Sequence, residues 1–118
     1  MPTCFVTISQ DCRALTDADR EAIRATVAKE LDSKSRRLDS SHVVLREQVG
    51  RRSDMLGAVE LEVFCQFFLR RFFDRDKRAN RISTQVGQLL HGNCATWINM
   101  GIVGYSRVTL EGKSYFSD

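Results

Sequence analysis

The chain has 118 residues, 42% of them hydrophobic and 28% charged, with a formal net charge of +3. That length supports one domain with a real core, on a scale that gains from oligomerisation. No apolar run approaches the ~20 residues of a membrane span, and no signal-like apolar stretch opens the chain.

The basic residues are fourteen arginines and four lysines. Acidic residues punctuate them, as in Asp74-Arg75-Asp76-Lys77-Arg78, which reads as a solvated helix start. Nucleic-acid binding would call for a basic stripe interleaved with exposed aromatics, so neither nucleic acid nor membrane is expected as a partner. Cys4, Cys12, Cys65 and Cys94 lie far apart, with no CxxC and no paired histidine spacing. That pattern predicts reduced thiols in a cytoplasmic protein and no metal site.

Pro2 is the only proline, and an alternating run follows it at once. Cys4, Val6 and Ile8 point one way and Thr3, Phe5 and Thr7 the other, which predicts a half-buried strand. Removal of Met1 would leave Pro2 a secondary amine held still by that strand. Partial burial would then disfavour its ammonium form and supply a neutral base near pH 7. Retention of Met1 would make the same nitrogen an amide.

Thr16-Asp17-Ala18-Asp19 resembles a capping box, and Ile23, Val27 and Leu31 repeat at i+4, predicting a helix from about Asp17 to Leu31. His42 to Val49 reads as a second strand, completing a βαβ unit with parallel strands. Gly50 to Gly57 is a charged loop bounded by glycines, and the pattern then repeats. Ala58 to Leu69 alternates as a third strand, which Arg70 and Arg71 close. Asp74 can cap a second helix carrying Ala79, Ile82, Val86 and Leu89, stopped by Gly92. Thr96 to Met100 is the fourth strand, and residues 101–116 hold a short hairpin or tail turning at Glu111-Gly112-Lys113.

Two consecutive βαβ units predict an α/β fold: a four-stranded mixed sheet with two helices on one face. The whole chain, 1–118, reads as one domain with pseudo-repeat halves 1–50 and 58–118. Helices cover only one face of such a sheet, so neighbouring copies are expected to bury the other.

This layout resembles the tautomerase superfamily, in particular its macrophage-migration-inhibitory-factor-like and cis-chloroacrylate-dehalogenase-like members. The residues that carry the resemblance are Pro2, the Ser9-Gln10-Asp11 turn before Leu15-Thr16, Lys34 before Ser41-His42-Val43-Val44, and Trp97-Ile98-Asn99. It implies a homotrimer whose sheets form a central barrel, with active sites at subunit boundaries and no metal or organic cofactor. Pro2 would act as general base on a small 2-oxo acid or unsaturated carboxylate. Arg70 and Lys34 would hold its carboxylate and carbonyl, with Arg71 as a further candidate and Asn99 and Trp97 lining the pocket. The indole of Trp97 can donate a hydrogen bond but cannot act as an acid.

Alternatives on the same scaffold are a decarboxylase or hydratase, for which Glu111 is the candidate water-activating acid, and a non-catalytic trimeric interaction module. Leu31 stands where the dehalogenase-like pattern has a histidine, which turns the expectation away from hydrolytic dehalogenation. His42 and His91 are expected to be structural or exposed, and Arg51 and Arg52 to lie in a surface loop.

Overall fold

The computed structural model describes residues 2–32, 37–66, 68–100, 106–110 and 113–114, with side chains up to residue 100 except that of residue 69. Lys34 and Glu111, both named from the sequence, lie outside the described residues.

Three strands meet at the first few residues. β1 (Thr3–Ser9) pairs in parallel with β2 (Val44–Gly50), Thr3 facing Val44, and antiparallel with β3 (Val59–Phe64), Thr3 facing Phe64. β3 runs parallel to β4 (Cys94–Asn99), Phe64 facing Asn99. β5 (Ser106–Leu110) and β6 (Lys113–Ser114) form an antiparallel hairpin on the far side of β4. The order is β2-β1-β3-β4-β5-β6, so the four expected strands are contiguous and the hairpin extends the sheet beyond β4 to six.

α1 (Asp17–Leu31) has the bounds that the capping box and the i+4 stripe predict. Thr16 Oγ1 accepts from the Asp19 N–H at 3.1 Å, and the Thr16 N–H donates to Asp19 Oδ2 at 2.9 Å. The Arg13 guanidinium bonds the same carboxylate. That hydrogen bond, and after it the one from the Thr16 backbone, holds the Asp19 carboxyl well below the usual carboxylate range. On the next strand, the Arg20 Nε–H donates to Glu47 at 2.8 Å and fastens α1 to β2.

The third strand is shorter than its alternation predicts. It ends at Phe64, and Leu69–Phe73 forms a short helix, α2, ahead of α3 (Arg75–Leu90). Arg71, Arg75 and Arg78 fall at i, i+4 and i+7, so the helical period of α3 already starts before Asp74 and overrides the apolar alternation. β2 likewise begins two residues later than expected. His42 belongs to a 3₁₀ turn, Ser40–His42, and its Nδ1 accepts the Asp39 N–H at 2.9 Å.

α3 ends with His91 in the left-handed region (φ 55°, ψ 43°), while the Gly92 N–H donates to the Gly87 carbonyl at 3.0 Å. This is the Schellman arrangement; the stop comes one residue before the expected glycine.

α1 and α3 pack on one face of the sheet. Cys4, Val6, Leu61, Val63 and Ile98 from the strands meet Ile23, Val27, Leu31, Ile82 and Val86 from the helices, each at most 1% exposed. Within this layer the Ser83 hydroxyl donates to Thr96 Oγ1 at 2.7 Å. The four cysteines are free thiols: Cys4 and Cys94 buried, Cys65 half-buried, Cys12 exposed. Burial pushes the Cys4 and Cys94 thiols up to about 12. No described helix is long and apolar enough to cross a membrane.

Two stability tests follow from these contacts. A Cβ on Gly87 would stand 2.8 Å from the Gly92 carbonyl oxygen, a backbone atom that cannot swing aside. Overpacking of this kind costs ~1–3 kcal/mol, against the ~1 kcal/mol that alanine gains over glycine in a helix. Gly87→Ala should therefore lower urea-unfolding stability, contrary to propensity. Because the Asp19 carboxyl is depressed in the folded state, its contribution is fully present above the unfolded carboxylate value of ~3.9 and is lost as pH falls below it. Asp19→Asn should accordingly lose less stability than wild type when Tm is compared at pH 5 and at pH 2.5.

Candidate active site at the Pro2 end of the sheet

Strand direction gathers the candidate residues at one end of the sheet. Pro2 is buried, and its carbonyl accepts the Val44 N–H at 2.9 Å. The next residue, Thr3, is flanked by Val44 on one side and Phe64 on the other. The Cys65 N–H donates to the Asn99 carbonyl at 3.0 Å, so β3 and β4 leave the sheet at the same level. α2 follows β3 directly, bringing Arg70 and Arg71 to this end.

The two arginines have different situations. Arg70 is exposed. Arg71 is 2% exposed, the largest of the fully buried side chains. Its Nε–H donates to the Leu31 carbonyl at 3.0 Å and its Nη1 to the Gln66 carbonyl at 2.9 Å, and its guanidinium lies 4.6 Å from the centre of the Phe68 ring. Arg71 thereby ties the end of α1 to the segment leaving β3.

Sequence reasoning missed Arg78, which it took for part of a solvated helix start. Arg78 is 8% exposed, and its Nη1 donates to the carbonyls of Glu30 and Asp32. Arg75 donates to the Phe72 carbonyl at 2.7 Å and stacks over the Phe72 ring at 4.4 Å. The i, i+4, i+7 spacing of the three arginines was the available signal, because it puts them on one helical face.

Cys65 lies close enough to this group that Arg71 and Arg78 both pull its thiol down, although burial, the larger effect, pushes it up. The end of α1 and the segment after β3 are therefore rich in arginine, with Asp32 and Asp76 among them. Arg70, exposed at the rim, has no ion-pair partner among the described residues.

Trp97 and Asn99 lie on the other side of the sheet. They alternate with Thr96 and Ile98, which face the helices, and stand in the rows of Phe5–Glu62 and Thr3–Phe64. Pro2 continues the helix-facing parity of Cys4 and Val6. One chain therefore brings Pro2, Arg70 and Arg71 to a common end while turning Trp97 and Asn99 to the opposite face. Lys34 falls outside the described residues.

Hollows occur elsewhere on the molecule. One of ≈ 270 Å³ opens on the uncovered face of the sheet, lined by Phe5, Thr7, Gln48, Glu60, Glu62 and Trp97. Another of ≈ 340 Å³ lies at the opposite end of β1, beside Cys12, Arg13 and Leu15. Among the described residues no cluster of three or more histidine, cysteine or acidic side chains is placed to hold a metal ion. No protein-family model, curated protein or solved structure matches the chain.

Truncating Arg71 would orphan two carbonyls and leave a void. Arg71→Ala should cost ~2–4 kcal/mol in urea unfolding, whereas Arg70→Ala should stay within ~0.5 kcal/mol of wild type.

Proposed function

We propose that this chain is a cofactor-independent keto–enol tautomerase acting on a small 2-oxo acid or unsaturated carboxylate, with Pro2 as general base once Met1 is removed. The observation that carries this reading is the burial of Pro2 at the head of a strand paired on both sides. Strand pairing supplies the fixed position that proton transfer requires. Desolvation favours the neutral amine over the ammonium.

In this mechanism the Pro2 nitrogen takes the enol hydroxyl proton, or in the reverse direction the proton on the carbon next to the carbonyl. It returns that proton at the other position. Charge that develops on the substrate oxygen is stabilised by the cations of this end. Arg70, exposed at the rim, takes the carboxylate, with Lys34 as carbonyl partner. Arg71, bound to the carbonyls of Leu31 and Gln66, holds the floor of the site in place.

Trp97 and Asn99 enter the same reading from a second subunit, because their own chain turns them away from its Pro2. A homotrimer with sites at subunit boundaries satisfies that geometry and also covers the open face of the sheet.

The test is enol-to-keto turnover of phenylpyruvate by protein whose loss of Met1 has been verified by mass spectrometry. Pro2→Ala should lower kcat/KM by at least ~10²-fold, within the usual range for a lost general base. Equal, background-level rates in both proteins would remove the tautomerase reading for this substrate class.

A further inference from the structure

The open face of the sheet carries an ordered row of side chains. Arg46, Phe5, Glu62 and Trp97 stand side by side on β2, β1, β3 and β4. Gln48, Thr7 and Glu60 form the next row, where the Gln48 amide donates to Thr7 Oγ1 at 3.0 Å. The hollow of ≈ 270 Å³ sits over these two rows. Each of its lining residues belongs to a strand, so among the described residues no loop or helix lines it.

Its chemistry is one-sided. Glu60 and Glu62 point the same way from one strand, with Cα atoms ~7 Å apart. Glu60 accepts the Leu56 N–H at 2.7 Å, but no basic side chain among the described residues pairs with either carboxylate. Glu62 has an aromatic neighbour on each side, Phe5 and Trp97, their Cα atoms two strand spacings or ~9.5 Å apart. A carboxylate between two rings suits a flat cation, which can stack on a ring while it bonds the oxygens. In the open such a contact is worth little, whereas under a covering surface that excludes water it gains strength.

The same face carries the complementary group. Arg46 projects from β2, an edge strand, is exposed, and has no ion-pair partner among the described residues. Among the helical arginines, Arg20 pairs with Glu47 and Arg81 with Glu30, while Arg70 belongs to the Pro2 end of the sheet. We propose that the Phe5–Glu62–Trp97 hollow receives Arg46 from a second copy of this chain. In the trimer of the proposed function each copy gives its Arg46 to one neighbour and receives that of the other, a heterologous contact whose rotation closes a ring. This inference rests on the oligomer of the proposed function and names the contact that sets its geometry.

The experiment is a charge swap read by light scattering across a dilution series. Circular dichroism confirms folding, and emission from Trp97, the single tryptophan, reports cover over the hollow. Wild type should be trimeric. Glu62→Arg and Arg46→Glu should each weaken assembly by about tenfold or more and red-shift the emission, and the double variant should recover both. Should a reversal unfold the chain, Glu62→Gln and Arg46→Gln provide the same comparison: each should weaken assembly, and the pair should weaken it by less than the sum. Single variants that keep the wild-type mass and emission would overturn the contact and leave the trimer standing, as would a double variant no better assembled than the singles. A wild type that is monomeric throughout would overturn both. A trimer with the expected swap behaviour but no Pro2-dependent turnover would sustain the contact and sink the catalytic reading alone.

Discussion

The end of α1 is where the fold is held together. A helix leaves its last carbonyls without internal partners, and burying them unpaired would cost more than the packing around them returns. Here the donors are guanidinium groups: Arg78 takes the carbonyls of Glu30 and Asp32, and Arg71 takes that of Leu31. Positive charge at that terminus also complements the helix dipole. The arrangement is not free of cost, since Arg78 Nε is buried without a hydrogen-bond partner among the described residues. It nevertheless links α1, α2, α3 and the exit of β3 in one polar joint, at the same end of the sheet as Pro2.

Much of this was legible from local signals. The threonine and aspartate three residues apart fixed the start of α1, and the alternation of Cys4, Val6 and Ile8 gave both the first strand and its buried side. The doubled βαβ order followed from those periods. What remained hidden were the features that depend on distant partners. Arg78, set between acidic residues, carries no local mark of burial, because its acceptors are backbone oxygens 46 and 48 positions away. The third strand was overextended because Phe67, Phe68 and Leu69 look apolar enough to continue it. The arginine spacing that ends it speaks only at helical period.

The candidate site shows the same division. Pro2 and the two arginines after β3 share one end because of strand direction, which the order of elements implies. The separation of Trp97 and Asn99 from Pro2 is a matter of parity across three strands, and it required the register. That separation gives the open face its importance, because residues turned away from their own Pro2 can take part in its chemistry only through another copy. Assembly and catalysis are then one problem in this reading, and the arginine-rich end and the acidic row on the open face are its two halves.

The burial of Cys4 and Cys94 has a practical consequence. A thiol held near 12 exposes roughly one thiolate in 10⁵ molecules at neutral pH, and thiolate is the form that alkylating reagents attack. Cys65 is half-buried and shifted in the same direction, whereas Cys12 stands in solvent at the far end of β1. The native chain thus offers a single ready attachment point for a fluorophore or spin label, remote from Pro2, through which subunit association can be followed without altering the sequence.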